Sequence, residues 1–507
     1  MRLAIACLLA LSAPCWAASP TSQYIFGSQA GQAAPTSGQS WTGLMPRNDS
    51  NVWQASPTTG DTYALMPTTG TFSTFCVNLS TAPGAGASWT WTLYKNGSNQ
   101  SISVKISGAQ KQACDLVDTA GFSPGDLVAL HVTPSVSPAP ASTFSSWYIV
   151  QTPSVPGETI LFGSQQVGSP QYLSLAGNSS SQSTEAQMAT VIPTAGTVTK
   201  YIAEFVGTGS SVKAVLDHNE SASALSASLS TSGTYVEQAG NLSVSAGDLL
   251  DVNETGITAT SAVYTSVVFV PNVPGQFVLP TWHDSANDTD PVFYFPVTGR
   301  ADGPLLAVEG QAQQIGGNVQ VQGVFVRSTA APGGTAQYAF TLRDNGANSA
   351  FNTILSGTNL AACTTSASVA GCATGSAVAV NNLDLLDTSV VPTGSPIATG
   401  GVAVSYLAYV PQLVFSTEPP ATGTAGTTLS SVVVELQDQN GNPINGSTAQ
   451  VTISSSPAGV SGTLTANAVN GVATFNNLAF SSSGTYTLTA TVTGLASVTS
   501  SSIAIGN

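Results

Sequence analysis

Apolar and hydroxyl-bearing side chains alternate along much of this chain with a period of two residues. Trp89, Trp91 and Leu93 fall on one side of an extended segment and Thr90, Thr92 and Tyr94 on the other, because successive side chains of a strand point to opposite faces. The run ends in Asn96-Gly97, a pair that tolerates the positive φ of a tight hairpin. It then recurs: APGAGASWTWTLYKNG at 82–97 is matched by APGGTAQYAFTLRDNG at 331–346, where Tyr338, Phe340 and Leu342 repeat the apolar face. Val212, Ala214 and Leu216 do so between the two. Short strands of this kind, about 8–12 residues apart and separated by Gly, Pro and Ser, predict antiparallel β-sandwiches. The length of each repeating block favours a jelly roll over an immunoglobulin-like domain.

Further internal matches set the organisation. YIFGSQ at 24–29 and ILFGSQ at 160–165 open two blocks alike, and VPGETIL at 155–161 and VPGQFVL at 273–279 mark their ends. MPTTGTFSTFCVNL at 66–79 aligns without a gap with IPTAGTVTKYIAEF at 192–205, which sets Cys76 opposite Ile202 and argues that the cysteine is buried. SPGDLVALHV at 123–132 matches SAGDLLDVNE at 245–254 and NNLDLLDTSV at 381–390. The chain therefore reads as a leader at 1–17, three related sandwiches at 18–156, 157–274 and 275–411, and a different domain at 412–507. The short joins predict modules packed end to end, as a rod.

Composition narrows the class. Arg2, the apolar run from Leu3 to Ala13 and the small residue at Ala17 have the form of a secretory signal peptide, and the run is too short to span a membrane. Only 7% of the residues are charged, against roughly 25% in ordinary soluble domains, so helices lack the side chains for their wet faces. The net charge of −15, with ten Lys and Arg, leaves no patch able to neutralise many phosphates and excludes nucleic acid as a partner. No second long apolar segment follows the leader.

Four cysteines remain beyond the leader, in a chain bound for an oxidising compartment, so disulfides are expected. Cys114 and Cys363 each follow their hairpin glycine by seventeen residues. The expected pairs are Cys76–Cys114, worth about 4 kcal/mol on a chain-entropy model, and the local Cys363–Cys372, worth roughly 2.5–3 kcal/mol. A crossed pairing would require two modules to meet at these points. No CxxC pair or nearby histidine supports a metal site made of cysteine.

Catalytic chemistry finds little support. His131, His218 and His283 fall at positions held by other residues in the sister modules, and each reads as a solvated polar side chain. No nucleophile elbow, HExxH helix or phosphate loop appears. Asp217 with Glu220, and Asp251 with Glu254, read as wet strand faces; a glycosidase would need them paired in space. WHDSANDTDP at 282–291 gathers Asp284, Asp288 and Asp290, a weak calcium candidate without the spacing of an EF-hand; no other cofactor is expected. Trp89 and Trp91 belong to the core face, whereas Trp53 and Trp282, in polar surroundings, are the candidates for exposed ligand contacts.

From Leu413 the sequence changes character. The strand Val432 to Leu436 leads into the turn Asp438-Gln439-Asn440-Gly441-Asn442-Pro443, followed by GVATF at 471–475 and GTYTL at 484–488. These motifs, in this order, resemble the bacterial Ig-like domains strung along invasin- and intimin-type adhesins. The resemblance covers about 95 residues and implies an Ig-like sandwich, a spacer or adhesive role and bacterial origin. Residues 19–411 resemble, more loosely, the repeated β-sandwiches of secreted and phage-associated proteins.

The expectation is a non-enzymatic secreted protein, extracellular or on the cell surface with the periplasm as the other address, built as a rod for structure or adhesion. It would meet a surface, glycan or protein ligand, or copies of itself. The alternative is a glycan-binding protein that uses exposed aromatics and calcium; a secreted hydrolase is a third reading, which would need a histidine and two carboxylates in one cleft.

Overall fold

The computed structural model describes residues 22–29, 34–35, 38–45, 53–56, 62–135, 144–167, 171–178, 184–207, 212–256, 261–283, 291–301, 306–397 and 400–507. The leader and the calcium candidate Asp284, Asp288 and Asp290 lie outside these residues. The architecture is all-β; helix among the described residues amounts to a turn at Glu185–Gln187 and another at Glu309–Ala312. No helix there is long and apolar enough to cross a membrane.

Residues 23–153 form two facing sheets of paired strands. One runs Gln23–Ser28, Ser145–Pro153, Gly70–Leu79, Gln112–Asp115, which is the order first, eighth, third, sixth. The other runs Ser40–Thr42, Leu127–Pro134, Gly84–Lys95, Ser98–Gly108, or second, seventh, fourth, fifth. Residues 159–271 and 276–409 repeat both orders. This is the jelly roll, two interleaved Greek keys, three times over. Trp89, Trp91 and Leu93 are fully buried between the sheets of the first module, as are Ala214 and Leu216 in the second and Phe340 in the third.

Two motifs that recur separately in the sequence meet in space. Asn96 and Gly97 have φ of 48° and 84°, and Asn345 and Gly346 of 49° and 79°, the left-handed pair that a two-residue hairpin requires. The Asn96 side chain donates to Asp126 Oδ1 at 2.6 Å and accepts from the Leu127 N–H at 2.8 Å. Asn219 makes the same two bonds with Asp248 and Leu249, and Asn345 with Asp384 and Leu385. In each copy the second carboxylate oxygen accepts from the backbone N–H that opens the turn, at Ser123, Ser245 or Asn381. The asparagine of one turn thus clamps the aspartate of another 29 to 39 residues away.

The modules do not form a rod. The short piece Ala64–Leu65, which continues the second strand of the first module, lies on the outer face of the first sheet of the second module, where Tyr63, Leu65 and Ala129 pack with Ile202, Ala262 and Tyr264. Thr190–Val191 of the second module lies in the same way on the third, with Val191 and Leu249 against Phe325 and Ala403. Gln314–Ile315 of the third lies on the first, where Ile315 joins Tyr24, Phe26 and Tyr148. Each contact is head-to-tail, and the third closes a ring. Polar bonds reinforce it: Gln23 exchanges two hydrogen bonds with the Ile160 backbone at 2.9 and 2.8 Å, Gln187 Nε2 donates to Gly400 O at 3.0 Å, and Thr298 Oγ1 donates to Phe26 O at 2.6 Å. The joins are short, as expected, yet they turn the chain back on itself instead of extending it.

Residues 412–506 form an Ig-like sandwich. One sheet runs Gln412–Thr417, Val432–Gln437, Val472–Phe475; the other contains Thr422–Thr424, Ile503–Gly506, Gly484–Thr491 and Gln450–Ser456 in that order. In the DQNGNP turn Asp438 Oδ1 accepts from the backbone N–H of Asn440 at 2.8 Å and of Asn442 at 2.9 Å. Tyr486 stacks on Phe480 and donates to Ser482 O at 3.2 Å, the tyrosine corner of Ig-type sandwiches. The domain seats on the ring: Asn318 Nδ2 donates to Thr493 O, Thr448 N–H donates to Asn381 Oδ1, and Gln322 Nε2 donates to Gln439 Oε1. Gly494 has φ of +77°, and a Cβ there would fall 2.2 Å from the Tyr24 hydroxyl of the first module.

Candidate functional site

The disulfides Cys76–Cys114 and Cys363–Cys372 are formed. Cys76 and Cys114 stand opposite each other on neighbouring strands of one sheet. Phe325 stands opposite Cys363 at the corresponding place in the third module, so the chain fills that position with Cys76, Ile202 or Phe325, all buried in contacts between modules.

The aromatic candidates do not form a binding platform. Trp282 is 1% exposed, enclosed by Ala189, Val191 and Leu249 of the second module and Phe325 and Ala403 of its own; it is a core residue of a module contact, and its polar sequence neighbours concealed this. Trp53 is half-buried and packs on the core of the first module. The histidines also differ from solvated residues. His131 stacks on Trp41 at 4.7 Å and bonds Asn99 Oδ1 at 2.9 Å, and burial lowers its pKa. His283 is buried beside Phe295, and His218 bonds Asp248 at 2.8 Å in the hairpin clamp.

The chemistry of the three copies diverges on the outer face of the second sheet. The registers Trp41↔His131, Tyr172↔Asn253 and Tyr294↔Ser389 align the modules there, as do Tyr94↔Ala129, Asp217↔Asp251 and Arg343↔Asp387. Beside it, a short helical turn places Glu185 five residues before Thr190 and Glu309 five before Gln314, and these strand starts face Leu250 and Leu386. In the first module the face is apolar and aromatic and adjoins the second module. In the third it is an ionic set: Arg343 Nε lies 2.6 Å from Glu309 and 3.8 Å from Asp387, and its guanidinium sits 5.7 Å over the Tyr294 ring.

In the second module the same positions hold three acids. Oxygens of Glu185, Asp217 and Asp251 all lie within 4.8 Å of one another. Asp217 and Asp251 are buried instead of lying on a wet strand face. Both oxygens of Asp251, one of Asp217 and one of Glu185 are buried with no hydrogen-bond partner. No ion pair among the described residues involves any of the three. Burial raises the Asp251 carboxyl well above its ordinary pKa, with the charges of Glu185, Asp217 and Glu220 adding to it. Burial also raises Asp217, against the amide of Asn253, and raises Glu185, which Asp217 and Glu220 push further. Glu254 is likewise fully buried, but it points into the sandwich core with the Leu250 and Val252 face, toward Tyr201.

No protein-family model and no curated protein matches the sequence. Among solved structures, the chain is similar to the N-terminal tandem CBM22 domain of Xyn10C from Paenibacillus barcinonensis, at 12% identity over 51% of this chain and 99% of that one, with a TM-score of 0.14. A triple jelly-roll protein of an archaeal virus, from a study of its turret assembly, matches at 8% identity over 76% and 89%, with a TM-score of 0.16. The BSP domain of a biofilm-associated protein matches at 9% identity over 86% and 96%, with a TM-score of 0.12.

Proposed function

We propose that this chain is a non-enzymatic extracellular protein of structural or adhesive role, exported through its leader, in which a ring of three jelly rolls is the rigid body and the Ig-like domain a docked appendage akin to adhesin repeats. The closed ring carries the reading. Apolar side chains on the outer sheet faces are used to join the modules, and two of the three histidines are enclosed by neighbouring side chains while the third serves a turn. The two disulfides suit an oxidising compartment.

The test uses the purified mature chain. Negative-stain microscopy should show compact three-lobed particles, single or assembled, and beads coated with the protein should be retained on cells or on each other above uncoated beads. An extended rod in micrographs would remove the structural basis. Retention equal to that of bare beads, together with single particles, would remove the adhesive and structural roles. Turnover in a panel of glycoside and ester substrates would overturn the non-enzymatic reading.

A further inference from the structure

We propose that Glu185, Asp217 and Asp251 form a binding site for one calcium ion, which takes in the second module the place that the Arg343 guanidinium occupies in the third. Asp217 and Asp251 face each other directly on adjacent strands, an arrangement that repels when both are charged. The third module has the same scaffold and places Arg343 there, paired with Glu309 at 2.6 Å and 3.8 Å from Asp387, whose own oxygens accept no hydrogen bond. The second module has a third carboxylate where that cation belongs.

The environment of Asp251 points the same way. It is wholly buried, neither oxygen has a partner, and its carboxylate faces those of Asp217 and Glu185. A buried polar group with no partner is costly, and a cation held among the three acids satisfies all of them at once. The spacing fits: two oxygens each 2.3–2.6 Å from one calcium ion stand at most about 5 Å apart, and the three lie within 4.8 Å. An all-oxygen donor set without nitrogen or sulfur selects a hard cation.

The position gives the ion a task. Glu185 begins the turn Glu185–Gln187, and Gln187 holds Gly400 of the third module. An ion that ties Glu185 to the sheet braces the contact between the second and third modules. The three acids are different residues from the sequence candidates Asp284, Asp288 and Asp290.

Calorimetric titration of the EDTA-stripped mature chain with calcium chloride should give one site with a dissociation constant of roughly 10⁻⁴ M, in the range of extracellular calcium modules. Thermal unfolding should shift upward with calcium, and by less with magnesium chloride. Asp217→Arg, which reproduces the third module's arrangement, should weaken binding more than tenfold and make the melting temperature indifferent to calcium. Asp251→Asn should weaken binding at least tenfold, while Asp288→Asn should leave it intact. Hydrogen exchange at 184–191 should slow when calcium is added to the wild type. Absence of both binding heat and a calcium-dependent melting shift in the wild type would overturn the proposal. So would undiminished calcium binding by Asp217→Arg, or its loss in Asp288→Asn alone.

Discussion

The asparagine–aspartate clamp can be weighed bond by bond in the first module, where buried tryptophans report unfolding. Asn96→Gly suits the left-handed φ of 48° and removes two hydrogen bonds, one to Asp126 and one from Leu127 N–H. At about 1 kcal/mol each, the cost is about 2 kcal/mol. Asp126→Ala removes the bonds from Asn96 and from Ser123 N–H, and the ion pair with Lys95 at 3.3 Å. At about 1 kcal/mol for each exposed bond and about 1 kcal/mol for the partly exposed pair, the loss is about 3 kcal/mol. The Asn96–Asp126 bond is common to both variants, and the double variant should therefore lose about 4 kcal/mol, a coupling of about 1 kcal/mol. Urea unfolding followed by tryptophan fluorescence, with hydrogen exchange at Leu127 as a local readout, measures all four corners. Strict additivity, with coupling under about 0.3 kcal/mol, would refute the clamp as a unit.

Burial pushes Glu204, on the face toward the first module, up to about 7 from its ordinary 4.5. The folded state therefore holds a proton that the unfolded chain releases, and stability falls as pH rises from 4.5 through 7; Glu204→Gln should be more stable than wild type at pH 8 and equal to it at pH 4, by thermal melts across pH. Arg343→Met should cost about 3 kcal/mol, because it leaves Glu309 facing the fully buried Asp387; adding Asp387→Asn should recover part of the loss in urea unfolding, and an unchanged midpoint for the single variant would contradict the ionic set. Trp282→Ala should destabilise the chain by about 4 kcal/mol and speed exchange in both 187–191 and 402–409, whereas loss of glycan retention at unchanged stability would restore Trp282 as a ligand contact.

How much of this was legible depends on the range of the interaction. Period-two alternation and Asn-Gly pairs are local, so the strands, hairpins and all-β class could be read, and the recurrence of the same phrases showed three copies of one fold. The ring could not be read that way. Its contacts join faces that alternation assigns to solvent, although one signal was present: segments such as Val324, Phe325 and Val326 or Tyr201, Ile202 and Ala203 are apolar on both faces and buried on both, the mark of a strand covered on each side. The acids misled for the opposite reason. Asp217 and Asp251 alternate with core residues and so resemble a wet face; that Glu185 lies beside them is not visible in the alternation.

Fusing three jelly rolls in one chain explains why that face could diverge. In a ring of identical subunits every copy must present the same surfaces, since each head meets each tail. A fused ring keeps the closure and frees the equivalent positions, because the three junctions become different pairs of sequences. The first module spends the freed face on apolar contact through Tyr94 and Ala129. The third pairs Arg343 with Glu309 beside Asp387, and in the second Asp217 stands at the position of Arg343, beside Glu185 and Asp251. The hairpin clamp beside the face stays the same in all three, so the scaffold that positions these residues is held constant while their charge changes. Divergence on an invariant frame locates specialised chemistry more sharply than any motif in a single module.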